Sequence, residues 1–129
     1  MPRHSLCHRM HVALVGACFL VALWTGLATA EVGKVPVPGM ATMVDLGAKK
    51  CVPCKMMAPI LEALEKEYKG RAAIVFIDVW ENPEAAKEFG IQVIPTQIFY
   101  DTSGREVTRH RGFMSREAIV AELGKVGVR

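Results

Sequence analysis

The stretch KKCVPCKMMAP, Lys49 to Pro59, decides how the rest of the chain is read. Two cysteines stand with two residues between them, one of them Pro53, with lysines on either side and Pro59 five residues after Cys54. Such a pair is a covalent staple, half of a metal site, or a couple that exchanges electrons, and spacing by itself leaves all three open. The residues that follow narrow the choice. Met57, Ile60, Leu61, Leu64 and Tyr68 recur at helical spacing, while Glu62, Glu65, Lys66 and Glu67 take the other faces. This predicts a helix from about Val52 to Tyr68, stopping near Gly70 and kinked at Pro59, whose missing N–H interrupts the ladder. The cysteine pair therefore sits at the start of a helix.

Working outward, MATMVDLGA before the pair reads as a buried strand around Thr42 to Leu46. After it, AAIVFIDV reads as a second buried strand, about Ala73 to Val79. NPEAAKEFG is a short helix with Asn82 as N-cap, Pro83 at its first position and Gly90 as its stop. PTQIFYD is a third strand, and TSG followed by REVTRHRGF is a turn and a fourth strand, so these two make a hairpin. SREAIVAELGKVG is a final helix. Ser115 and Glu117 mark its start, and Ile119, Val120, Leu123 and Val126 its buried face. The order strand, helix, strand, helix, strand, strand, helix predicts a parallel βαβ unit followed by an antiparallel ββα unit. The fold class is α/β: a four-stranded mixed sheet flanked by helices.

The N-terminus has a different character. MPRHSLCHRMH is basic, and Val12 to Ala30 are apolar and end in Ala28-Thr29-Ala30 before Glu31. A charged start, an apolar middle and small residues at the end describe a secretory signal peptide. The apolar run of 19 residues is also long enough to span a bilayer as an uncleaved anchor. LVGAC suggests lipid modification of Cys18 as a third reading, although apolar sequence continues past it. All three place the domain outside the cytoplasm, in a bacterial periplasm, with membrane contact only through such an anchor. The organisation read from the chain is an export segment over residues 1–30, a Pro/Gly-rich linker over 31–40 and one domain over 41–129. The net charge of +3 includes Arg3 and Arg9. From Glu31 onward there are 14 Lys/Arg against 13 Asp/Glu, a balance that gives no support for a nucleic-acid binder.

Export also changes the cysteine arithmetic. Cys7 and Cys18 belong to the targeting segment, which leaves Cys51 and Cys54 alone. A structural zinc site needs four protein ligands, and beyond residue 30 there are two cysteines and one histidine, His110, so no metal is expected. As a staple the pair closes a loop of two intervening residues, which removes little chain entropy. The redox reading has a mechanism. The exposed N–H groups and positive dipole end of the helix stabilise a thiolate at Cys51. Lys49, Lys50 and Lys55 push the same way, and a lowered thiol pKa makes Cys51 the nucleophile. Cys54, one turn in, is placed to resolve a mixed disulfide, and Pro53 stiffens the turn between them. The lysines read equally well as a solvated face.

CVPCKMMAP resembles the thioredoxin active-site stretch, in which C-x-P-C-K begins a helix that carries a proline five residues later. GIQVIPTQIFYD resembles the thioredoxin segment with a cis-proline, here Ile94-Pro95-Thr96. DTSGREVTRHRGF resembles the hairpin that follows, with Gly104 at its turn and Gly112 near its end. The likeness runs from about Met43 to Val126. It implies that Cys51 attacks, that Cys54 resolves, and that Asp45, six residues before Cys51, is the family's buried acid that assists proton transfer at Cys54. Burial raises the pKa of such an acid. It implies a cis bond at Pro95 beside the cysteines, with the Ile94 backbone hydrogen-bonding an incoming chain. This sequence departs from the family pattern in several places. Lys50 and Gly47 stand where the family has tryptophan, and Ile74 stands where many members pair a lysine with the acid. Two extra residues in DVWENPE precede the short helix, and Trp80 there either covers the active-site face or packs as an ordinary aromatic. Met56 and Met57 read as core, and Arg109, His110 and Arg111 as a solvent face.

The reading is an exported thiol–disulfide oxidoreductase. The cysteine pair is itself the redox group, so no cofactor is needed. The resemblance implies protein disulfides as substrates and a membrane electron-donor protein as partner. With C-V-P-C and no histidine between the cysteines, reductase is the expected direction. A disulfide oxidase or isomerase on the same scaffold is the alternative, and a redox-inert binding module using the groove beside Pro95 is the other.

Overall fold

The computed structural model describes residues 33–129. The expected export segment, with Cys7 and Cys18, lies outside the described residues, as do the first two residues of the expected linker. Seven elements follow: β1 (Ala41–Gly47), α1 (Val52–Glu67), β2 (Ala72–Asp78), α2 (Pro83–Glu88), β3 (Thr96–Tyr100), β4 (Glu106–Arg111) and α3 (Arg116–Lys125). The strands form one sheet in the order β2-β1-β3-β4. β1 runs parallel to β2 and antiparallel to β3, and β3 pairs antiparallel with β4. This is the mixed α/β sheet that the element order predicts, with boundaries within two residues of the expected ones.

β1 has two apolar neighbours and a helix layer on each face, so all seven of its residues are buried. Its alternate side chains enter different interiors. Ala41 and Met43 join Met57, Leu61 and Leu64 of α1, Phe99 of β3 and Ile119 and Leu123 of α3. Val44 and Leu46 join Ile77, Ile98 and Tyr100, with Ala85 of α2 over them. α1 and α3 thus cover one face and α2 the other. The spacing of Met57, Leu61 and Leu64 on α1 keeps one stripe against the sheet. Pro59 lies on the exposed side, and α1 continues through it from Val52 to Glu67.

Two ends are pinned by local chemistry. Ser115 caps α3, its hydroxyl accepting from the Ala118 N–H at 3.3 Å. The β3–β4 turn is built by Asp101, whose Oδ1 accepts from the N–H groups of Ser103 at 2.9 Å and Arg105 at 3.1 Å. Gly104 supplies the positive φ of 81° that this turn requires. Before β1, the Val37 N–H donates to Thr42 Oγ1 at 3.1 Å, which fixes the residues leading into the sheet.

Candidate active site

Cys51 is the N-cap residue of α1, with φ −80° and ψ 128°, and its carbonyl accepts the Lys55 N–H at 3.0 Å. An N-cap side chain is served by the N–H of the second or third helical residue. The second is Pro53, which has none, so the Cys54 N–H is the donor left for a Cys51 thiolate. No acidic residue occupies the first turn, and the helix dipole favours negative charge there. Cys51 and Cys54 are joined in a disulfide with their Cα atoms 5.3 Å apart. Cys51 is half-buried, whereas Cys54 is 4% exposed, so an incoming molecule meets Cys51 first. The lysines divide. Lys49 Nζ is held by Glu81 at 2.8 Å, which offsets its charge, while Lys50 and Lys55 are exposed and form no salt bridge among the described residues.

Asp45 lies on the α1-facing side of β1, two residues before Gly47. A Cβ built on Gly47 would meet Cys54 Sγ at 3.1 Å, so the strand brings the acid to about 7 Å along its axis from the sulfur's neighbour. Asp45 is fully buried. Burial pushes its pKa up to about 6, and a hydrogen bond from Gln97 partly opposes the shift. Gln97 is its cross-strand partner on β3. The Gln97 Nε2 donates to Asp45 Oδ1 at 2.7 Å and lies 3.3 Å from Met57 Sδ. Sequence reading did not single out Gln97, because the two residues are 52 positions apart and only the β1–β3 register joins them.

The Ile94–Pro95 peptide is cis. The bend is fixed on both sides: Thr96 Oγ1 donates to the Val93 carbonyl at 2.8 Å, and the Pro95 carbonyl accepts the Gly112 N–H at 2.8 Å. Thr96 pairs with Leu46, so Pro95 lies at the end of the sheet from which residues 48–51 lead to the cysteines. Ile94 stands in the bend outside the strand ladder. Around this end are exposed apolar side chains: Val52 beside Cys51, Val93 before Ile94, and Phe113 after Gly112. The sequence reading passed over all three, because single exposed apolar residues carry no signal until the fold gathers them.

Further supports come from β2 and the loop after it. Asp78 Oδ2 accepts the Lys49 N–H at 2.9 Å, and its Oδ1 accepts those of Trp80 and Glu81 at 2.9 and 3.1 Å. These donors hold the Asp78 pKa below the usual carboxylate range. Asp78 thus ties the loop before Cys51 to the loop after β2. Trp80 is 58% exposed in that loop, and Met56, expected in the core, is 57% exposed while Met57 is fully buried. The correction is geometric: Met57 shares the stripe of Leu61 and Leu64, and Met56 is one position round the helix from it. Phe76 of β2 takes the space left by Gly47, its ring 3.2 Å from where a Cβ would stand. An apolar cavity of about 270 Å³ opens beside Cys54 between α1 and β2, walled by Ala58, Leu61, Ile74 and Phe76. His110 is exposed, its Nε2 3.2 Å from the Phe113 carbonyl.

A redox-active cysteine pair at a helix N-terminus, a buried acid beneath it and a cis-proline at the same end of a mixed sheet define a thiol–disulfide exchange protein on an α/β scaffold. The thioredoxin family model matches residues 33–125. The chain is 41% identical over 83 residues to thioredoxin of Staphylococcus aureus strain Mu50, covering 64% of this chain and 79% of that protein. Thioredoxins of strains MW2 and COL match to the same extent. The chain belongs to the thioredoxin family and is a thiol–disulfide oxidoreductase of that family.

Proposed function

We propose that this protein is an exported reductant that passes two electrons from its cysteine pair to disulfides in other proteins. The observation that carries the reading is the placement of Cys51: half-buried at the helix N-cap, with buried Cys54 bonded behind it and exposed Val52, Val93 and Phe113 around the opening. In the reduced protein the Cys51 thiolate attacks one sulfur of a substrate disulfide. That S–S bond breaks, the other substrate sulfur leaves as a thiolate and takes a proton from water, and Cys51 is left in a mixed disulfide. The Cys54 thiol then gives its proton to the Asp45 carboxylate. The Cys54 thiolate attacks Cys51 Sγ, the mixed bond breaks, and the second substrate sulfur leaves as a thiolate that takes a proton from water. The pair is now the Cys51–Cys54 disulfide, and the substrate holds both electrons.

An extended substrate chain lies along the Ile94-Pro95-Thr96 bend and pairs with the Ile94 backbone, its apolar residues against Val93 and Phe113. Lys50 and Lys55 favour the thiolate, and Pro53 holds the turn. Support for export is the basic start, apolar middle and Ala-Thr-Ala end of residues 1–30, and a membrane electron-donor protein re-reduces the pair. Support for reduction over oxidation is the Val-Pro dipeptide between the cysteines, with no histidine there.

The test is the equilibrium potential of the pair, followed by reduction of insulin disulfides. A potential near or below about −250 mV, with turnover lost in Cys51→Ser, is the expected result. A potential near −120 mV would make the protein an oxidase, and equal rates for wild type and Cys51→Ser would make it a binding module.

A further inference from the structure

The buried pair formed by Asp45 and Gln97 contains an imbalance. Both side chains are fully buried. One N–H···O bond of 2.7 Å joins them, yet Asp45 Oδ2 and Gln97 Oε1 are both left without a hydrogen-bond partner among the described residues. Buried polar atoms are nearly always paired, so two orphans on two touching side chains call for one explanation. They are chemically complementary. An ionised carboxylate only accepts, and the amide N–H serves it. A protonated carboxyl also donates, and the amide oxygen accepts that proton once the amide turns over about its last torsion. No other group occupies Gln97 Oε1 among the described residues, and the one contact that turning the amide would give up is the weak N–H···S bond of 3.3 Å from Nε2 to Met57 Sδ.

We propose that Gln97 is the positioning residue for the proton-accepting acid, its side-chain amide holding the Asp45 carboxyl in both protonation states by turning between donor and acceptor. The step is a proton movement alone. The Cys54 S–H gives its proton to an Asp45 oxygen, and the resulting O–H donates to Gln97 Oε1, with no electron transferred. The inference rests on the reading of Asp45 as the proton acceptor of Cys54. A lysine ammonium at this place would serve only the carboxylate, and here Ile74 of β2 offers no charge. The amide leaves the acid free to take up and release its proton within the neutral range. The surroundings leave the pair little other influence. α1 presents Cys54 and Met57, β2 presents Ile74 and Phe76, β3 presents Phe99, and α3 presents Ile119 and Leu123 to this layer. His110, the β4 partner of Gln97, is exposed and turned to the Phe113 carbonyl. Lys49, Lys55, Glu62 and Glu65 line the cavity beside Cys54, whose walls include neither Asp45 nor Gln97.

The test begins with the wild-type protein. Nuclear magnetic resonance follows the Asp45 carboxyl carbon and the Gln97 side-chain amide between pH 4 and 8. Both should titrate with one midpoint, and a Gln97 amide that does not respond overturns the proposal. In Gln97→Met, which keeps the volume and loses the N–H, the Asp45 midpoint should rise by about one unit. The pH profile for resolution of a preformed mixed disulfide should rise with it. In the Asp45→Asn background, Gln97→Met should leave the profile unchanged. An unmoved Asp45 midpoint, or equal slowing in both backgrounds, retires the role of Gln97. If instead Asp45→Asn alone leaves the rate profile unaltered, the reading of Asp45 falls and the proposal falls with it. The two failures are distinguishable because the carboxyl titration needs no turnover.

Discussion

β1 lends its two faces to opposite purposes. On the α2 side, Val44 and Leu46 meet Ile77, Ile98 and Tyr100 in a layer closed by apolar contact. On the α1 side, the same strand presents Met43, then Asp45, then Gly47, and meets Met57, Gln97 and Cys54. Residues one position apart therefore sit in interiors with different rules. One layer is held by apolar contact and contributes about 2 kcal/mol for each large side chain buried. The other keeps a carboxyl with an unpartnered oxygen beside a sulfur pair. A protein can carry a costly group in its core when the alternate residues of the same strand supply the stability.

The largest expected effect tests the apolar side. Leu46 is fully buried in the α2 layer, and Leu46→Ala should destabilise by about 2–5 kcal/mol, the range for a truncated core leucine. Because its side chain points away from Cys54, disulfide exchange per folded molecule should stay within about twofold of wild type. Chemical denaturation and an exchange assay, both normalised to folded protein, check the two statements. A loss of exchange in step with stability would mean that the faces are coupled and the division is false.

The counterpart on the other side should carry the opposite sign. The Asp45 pKa is about 6 when folded against an ordinary 3.8. Between those values the native protein holds a proton that the unfolded chain has released, so stability falls as pH rises through this window. The loss is complete above pH 6 and amounts to roughly 3 kcal/mol, taking 1.36 kcal/mol per unit. Asp45→Asn removes the titration. It should be more stable than wild type at pH 7.5 by up to roughly 3 kcal/mol, and the gain should vanish near pH 4. The same variant should slow resolution of the mixed disulfide. Melting curves at the two pH values, with single-turnover kinetics, measure both. Leu46→Ala loses stability and keeps chemistry, whereas Asp45→Asn gains stability and loses chemistry.

The two faces also differ in how far the chain could be read. The helix of Cys51 and the strand containing Asp45 announce themselves locally, through helical spacing and an apolar run, while the cis bond at Pro95 is legible only through the family resemblance of its segment. The face that Asp45 occupies does not announce itself. All seven residues of β1 and all five of β3 are buried, so neither shows the alternation that would separate inside from outside. The pairing of Asp45 with Gln97, the filling of the Gly47 gap by Phe76, and the anchoring of Lys49 by Asp78 all depend on strand register, which lies in contacts between distant segments. Met56 shows the same boundary from the other direction: adjacent methionines look alike in a window, and the helix rotates one of them out.

The smallest effect concerns the link between the sheet and the cysteine loop. Asp78 ends β2 opposite Gly47, and its carboxylate gathers the N–H groups of Lys49, Trp80 and Glu81. Glu81 in turn holds the Lys49 ammonium, so the loop before Cys51 is tethered at both its backbone and its side chain. In Asp78→Ala the N–H groups of Lys49, Trp80 and Glu81 are all left to water. Water replaces the carboxylate at these exposed loop positions, so the three losses together amount to about 1–2 kcal/mol, a drop that denaturation can resolve. Exchange should slow by less than about tenfold, because the Cys51 N–H keeps its bond to the Ala48 carbonyl at 3.1 Å and α1 stays packed on its buried stripe. A larger fall in rate with unchanged stability would place Asp78 among the groups that set the reactivity of Cys51. The functional layer would then extend beyond the face of β1 that carries Asp45, onto the loop that leaves its end.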